Sequence, residues 1–149
     1  MKYFKVPTLF SIFGAALFMG MLAVVSTTTA QDLSTPSAEG SEAYIVSPKD
    51  GDTVGKTFTV VFGLKGMGVA PAGTEKEHTG HHHLMIDMTE LPAEGLPLGT
   101  DVKHFGKGQT ETELTLEPGT HTLQLILGNH LHVPHTPPVV SEKITITVE

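Results

Sequence analysis

Residues 117–127 read EPGTHTLQLIL, and their pattern decides the fold. Pro118 and Gly119 set a turn. After it, His121, Leu123, Leu125 and Leu127 occupy alternate positions, the two-residue period of a strand that buries one face.

The same period extends outward from this stretch in both directions. Downstream, Ile144, Ile146 and Val148 share one face of a last strand. Upstream, Glu111 to Leu116 forms a strand that ends at the Glu117 turn. His82, Leu84 and Ile86 alternate with His81, His83, Met85 and Asp87, and Phe58, Val60, Phe62 and Leu64 alternate with Thr57, Thr59, Val61 and Gly63. Ala43 to Ser47 is a short first strand, closed by the turn residues Pro48 to Gly51. The Pro- and Gly-bearing stretch from Thr89 to Gln109 leaves room for one further edge strand or for loop alone. No segment shows a convincing helical stripe. The expectation is an all-β fold: an immunoglobulin-like antiparallel β-sandwich of six to seven strands over residues 43–149. In such domains the corner before the penultimate strand often carries a tyrosine, and here His121 stands in its place. A hydrogen-bonded corner role is therefore expected for His121.

Residues 1–30 belong to a different task. Lys2 and Lys5 precede an apolar run from Leu9 to Val25, and Thr28-Thr29-Ala30 offers the small residues of a cleavage site, so a signal peptide is expected, with the mature chain starting at Gln31. The expected location is periplasmic or secreted, without a stable membrane anchor after cleavage. Residues 31–42, QDLSTPSAEGSE, are polar and small and read as a flexible linker. The chain contains no cysteine, which excludes a disulfide framework, a lipid-modified N-terminus and any thiolate metal site. Beyond residue 30 there are seven lysines, no arginine and sixteen acids, a net charge of −9. An acidic, arginine-free surface is a poor partner for phosphate backbones, so no nucleic-acid partner is expected. It attracts cations instead.

Eight of the nine histidines fall into three groups: His78 with His81, His82 and His83; then His104; then His130, His132 and His135. Neutral imidazole is the commonest protein metal ligand. In a sandwich with strands running up and down, the loops before the third and fourth strands and after the fifth emerge at one end, and these carry the three groups. His121 begins its strand at the other end, roughly 20 Å away at about 3.3 Å per residue. His81 and His83, two apart on one strand, leave the same face, while His82 points inward with Leu84 and Ile86. The expected ligand set is His81, His83, His104, His130, His132 and His135, with His78 left as mobile surface. Lys103 and Lys107 beside His104 oppose a cation and keep open an anionic ligand alongside the metal.

The runs GHHHLMID (80–87), HFGKGQTE (104–111), PGTHTLQL (118–125) and HLHVPH (130–135), in that order, resemble a bacterial exported family, domain of unknown function 4399. The likeness covers most of residues 43–149. It implies a small exported all-β domain and, as the family's name says, no established activity.

The chemistry therefore rests on the residues. Imidazoles with a few carboxylates and no thiolate favour copper(II), zinc or nickel over calcium or magnesium. A blue-copper site is excluded by the missing cysteine. The leading expectation is a protein that holds copper or zinc for buffering, delivery or sensing. The alternatives are a His-ligated metalloenzyme with an open coordination position, with Asp87, Glu111 or Gln109 as candidates to support the ligands or to act as acid or base, and a non-catalytic immunoglobulin-like scaffold or adhesion module.

Overall fold

The computed structural model describes Met1 and residues 31–149, so the expected signal peptide, Met1 aside, falls outside the described residues. Among the described residues the regular elements are β1 (Glu42–Ser47), β2 (Thr53–Val54), β3 (Thr57–Lys65), β4 (Gly68–Val69), β5 (Thr79–Ile86), β6 (Lys103–His104), β7 (Glu111–Thr115), β8 (Gly119–Gly128) and β9 (Ile144–Val148). The six strands read from alternation are the six long ones. The Thr89–Gln109 stretch contributes the short edge strand β6.

One sheet has the order β1-β3-β7; the other runs β2-β9-β8-β5-β4, with β6 also paired to β5. The long strands pair antiparallel and divide as an immunoglobulin-like sandwich divides them. Two-residue strands depart from the antiparallel expectation: β2 runs parallel to β9 and β4 parallel to β5, so the larger sheet is mixed. Both lie at its margins and cover backbone edges that would otherwise face solvent.

The inward alternation builds the core. Ala43, Ile45, Val60, Phe62 and Leu114 from the smaller sheet meet Leu84, Leu123, Leu125, Leu127, Ile144 and Ile146 from the larger one. Area burial of this kind stabilises by about 25 cal/mol per Å² of apolar surface. The larger sheet is also covered on its other face, where Met85, Val102 and Ile126 form a second apolar cluster with Met88, Leu98 and Val140. β5 is consequently buried on both sides along most of its length.

Residues 31–42, read as a flexible linker, are held in part by hydrogen bonds. Ser37 N–H donates to the Thr136 carbonyl at 3.2 Å, Thr136 N–H to the Thr35 carbonyl at 3.0 Å, and Leu33 N–H to the Gly95 carbonyl at 3.3 Å. The loop after β8 has peptide groups that need partners, and this segment supplies them.

At the far end of β8, His121 fills the corner role. Its Nδ1 contacts Asp87 Oδ2 at 2.7 Å and its Nε2 the Glu117 carbonyl at 2.9 Å. Both partners only accept, so making both hydrogen bonds at once requires the imidazolium form. The Asp87 hydrogen bond, followed by that to Glu117, raises the His121 pKa above the usual imidazole value.

Candidate metal centre

Strand alternation aims His81 and His83 at the outer face of the larger sheet, while His82 turns inward against Phe62, ring centres 5.2 Å apart. β6 lies beside β5 with His104 opposite His83. On the other side of β5, His81 pairs with Gly128, the last residue of β8. The chain then makes a tight loop that returns His132 over the same patch, with Asn129 N–H donating to the Val133 carbonyl at 2.8 Å and His132 N–H to the Asn129 carbonyl at 2.9 Å. His132 adopts φ +66°, a left-handed conformation that non-glycine residues seldom take and that is found disproportionately at functional sites.

Four imidazoles meet there. Ring centres are 4.7 Å apart for His81–His83, 5.0 Å for His81–His104 and His81–His132, 5.1 Å for His83–His104, 4.6 Å for His104–His132 and 6.0 Å for His83–His132. Four imidazoles bound tetrahedrally to one ion, at metal–nitrogen distances of about 2.0 to 2.1 Å, have ring centres roughly 5 Å apart. His81, His104 and His132 each offer a nitrogen within 4.8 Å of the others. These three are a geometrically competent triad, and His83 adjoins them.

Glycines make the space. A Cβ on Gly106 would lie 2.3 Å from His104 Cε1, and one on Gly128 would lie 2.7 Å from His83 Cε1. A Cβ on Gly80 would lie 2.9 Å from His135 Nε2. Each glycine sits next to or near a histidine group in the sequence, a signal that the histidines alone did not convey.

Burial sets the electrostatics. His81 and His83 are 0% and 1% exposed, His132 is half-buried and His104 is at the surface. Burial, then the neighbouring His132 and His104, lowers the His81 pKa to about 4; burial, then His81 and His104, lowers His83 to about 3. Burial and His132 lower His104 as well. These shifts favour the neutral form of His81, His83 and His104, the form that ligates. Neither nitrogen of His81 has a hydrogen-bond partner, nor does His83 Nδ1. An open cleft lined by His83, Leu98, Thr100, Val102, His104 and His132 leads to the group.

The other histidines are placed elsewhere. His82 is fully buried with neither nitrogen in a hydrogen bond of standard geometry, and burial lowers its pKa against opposing help from the backbones of Gln109 and Gly63. His135 is buried with Nδ1 3.0 Å from Thr35 Oγ1, and its Nε2 has no partner. His130 lines a separate pocket with Thr35, Glu75, Glu77 and exposed His78. Of the three residues expected to support the ligands or act as acid or base, Asp87 is committed to His121, Gln109 Oε1 accepts from Lys107 N–H, and Glu111 lies on β7 of the opposite sheet. Lys103 and Lys107 are exposed.

The family model described as Domain of unknown function (DUF4399) matches residues 60–149. No curated protein and no solved structure matches the chain.

Proposed function

This chain belongs to the DUF4399 family, and from that premise we propose that it is an exported metal-binding protein holding one copper(II) or zinc ion on His81, His104 and His132, with His83 available as a fourth ligand. One observation carries the reading: His81 is completely buried at the centre of the imidazole group, and neither of its ring nitrogens has a hydrogen-bond partner. Buried polar groups are nearly always satisfied, and an ion between converging lone pairs satisfies several at once. An all-nitrogen donor set without thiolates or carboxylates favours late divalent transition metals over calcium and magnesium. The charge of −9 beyond residue 30 draws cations toward the surface. Export is supported by the signal-like segment at residues 1–30. Buffering, delivery and sensing all use such a site.

A second reading, a metalloenzyme with an open coordination position, is favoured by the cleft that reaches His104 and His132. Titration calorimetry and native mass spectrometry with zinc and copper(II) test the first reading. One ion per chain is expected, lost in His81→Ala and kept in His135→Ala. Equal uptake by His81→Ala and the wild type would exclude this site.

A further inference from the structure

Asn129 is 1% exposed and connects the loop carrying His132 to the segment ahead of the sandwich. Its Oδ1 accepts from Leu131 N–H at 2.9 Å and from Val133 N–H at 3.1 Å, closing the turn around His132. Its Nδ2 donates to the Leu33 carbonyl at 3.0 Å and to Thr35 Oγ1 at 3.4 Å. Thr35 in turn holds His135 from the same loop. A further bond ties the loop to the Thr89–Gln109 stretch, from Leu98 N–H to the His132 carbonyl at 2.8 Å.

The side-chain amide therefore has no spare freedom. Its donors are fixed by residues 33–35, which fixes where its oxygen stands, which in turn holds His132 in its left-handed conformation. A ligand side chain held at an uncommon backbone angle depends on the groups that hold it.

From this geometry we infer that Asn129 is a positioning residue for His132, and that docking of residues 33–37 is thermodynamically coupled to ion binding at the triad. The inference rests on the metal-binding reading and extends it to regulation. Coupling is reciprocal: if the docked segment favours the ion, the ion favours the docked segment by the same factor. The segment is tied to the sandwich by a few hydrogen bonds, and elements held that way open locally at low cost, which makes such a factor visible.

The test is hydrogen exchange on the full chain, with and without zinc, combined with zinc affinity from competition with a chromophoric chelator. In the wild type, zinc is expected to slow exchange severalfold in peptides covering both 33–37 and 129–136. Asn129→Asp keeps an acceptor for Leu131 and Val133 but loses the donors to Leu33 and Thr35. It is expected to weaken zinc binding on the order of tenfold and to abolish the slowing at 33–37. Thr35→Val, which keeps side-chain shape and removes only the hydroxyl, covers the case in which Asn129→Asp does not fold, and a smaller loss in the same direction is expected. Zinc uptake with unchanged exchange at 33–37, or wild-type affinity in both variants, overturns the coupling alone. No zinc uptake by the wild type overturns the metal reading and the coupling with it.

Discussion

His132 Nε2 lies 3.1 Å from His104 Nε2, although 28 residues separate the two in the chain. Two imidazole nitrogens at that distance share a single proton, because two lone pairs repel. An ion about 2.0 to 2.1 Å from each nitrogen fits the same gap. A proton and a metal ion would therefore compete for one position.

Metal should stabilise the fold by mass action. A ligand that binds only the native state at 100 times its Kd adds about 2.7 kcal/mol. For a domain of this size that corresponds to roughly 10 °C in Tm. Differential scanning calorimetry with zinc, then with excess EDTA, should show the rise and its reversal. A Tm insensitive to both would contradict the site.

The glycines offer a way to disturb the rings without touching them. Gly106→Ala places a methyl group against His104, a member of the triad, whereas Gly128→Ala places one against His83. We expect Gly106→Ala to weaken zinc binding by on the order of tenfold or more, within the range seen when groups that orient ligands are changed. Because a methyl at Gly128 also lies 3.4 Å from the His132 backbone, the fourth position is read from His83→Leu instead: a comparable loss there identifies His83 as a fourth ligand, and wild-type affinity identifies an open position.

Acid should destabilise the ion-free chain. His81 and His83 have folded pKa values of about 4 and about 3, against 6.5 when unfolded. The unfolded chain then binds more protons between pH 6.5 and those values, so stability is present above about 6.5 and is lost as pH falls through that window. Urea midpoints measured from pH 8 to pH 4 should decline below pH 6.5, and His83→Leu should flatten the decline. A profile in His83→Leu as steep as the wild type's would assign the loss to other groups.

The far-end clamp follows a different pH rule. The His121 pKa is raised by its Asp87 hydrogen bond, so its contribution is complete below the unfolded value and disappears as pH rises through the folded one. Burial raises the Asp87 pKa, but the hydrogen bonds from His121 and Thr122 together outweigh it and lower the net value, so its contribution is present above the unfolded carboxylate value and lost as pH falls through the folded one. His121→Ala should therefore cost most between about pH 4 and 6.5, by about 1 to 2 kcal/mol. Zinc uptake should be unchanged, as checked by calorimetry on the same variant.

The strands of this protein are written in its local pattern. Leu123, Leu125 and Leu127 had to face one way because side chains alternate along any strand, and the Pro118-Gly119 turn fixed where that strand begins. The same rule put His81 and His83 on one face and His82 on the other, and it placed His121 at the distant corner. Which histidines meet was a tertiary decision. His130 and His132 have the same local spacing in the sequence, yet His132 reaches the triad and His130 lines another pocket, because Asn129 closes the turn between them. His104, alone in its segment, joins the group through pairing of β6 with β5, a contact across 21 residues. The role of Thr35 and Leu33 was equally hidden, since a polar segment without periodicity reads as free chain until a buried amide across the fold needs its carbonyl and hydroxyl. Periodicity is a property of neighbours along the chain; convergence depends on long-range packing and hydrogen bonding, which a local pattern does not encode.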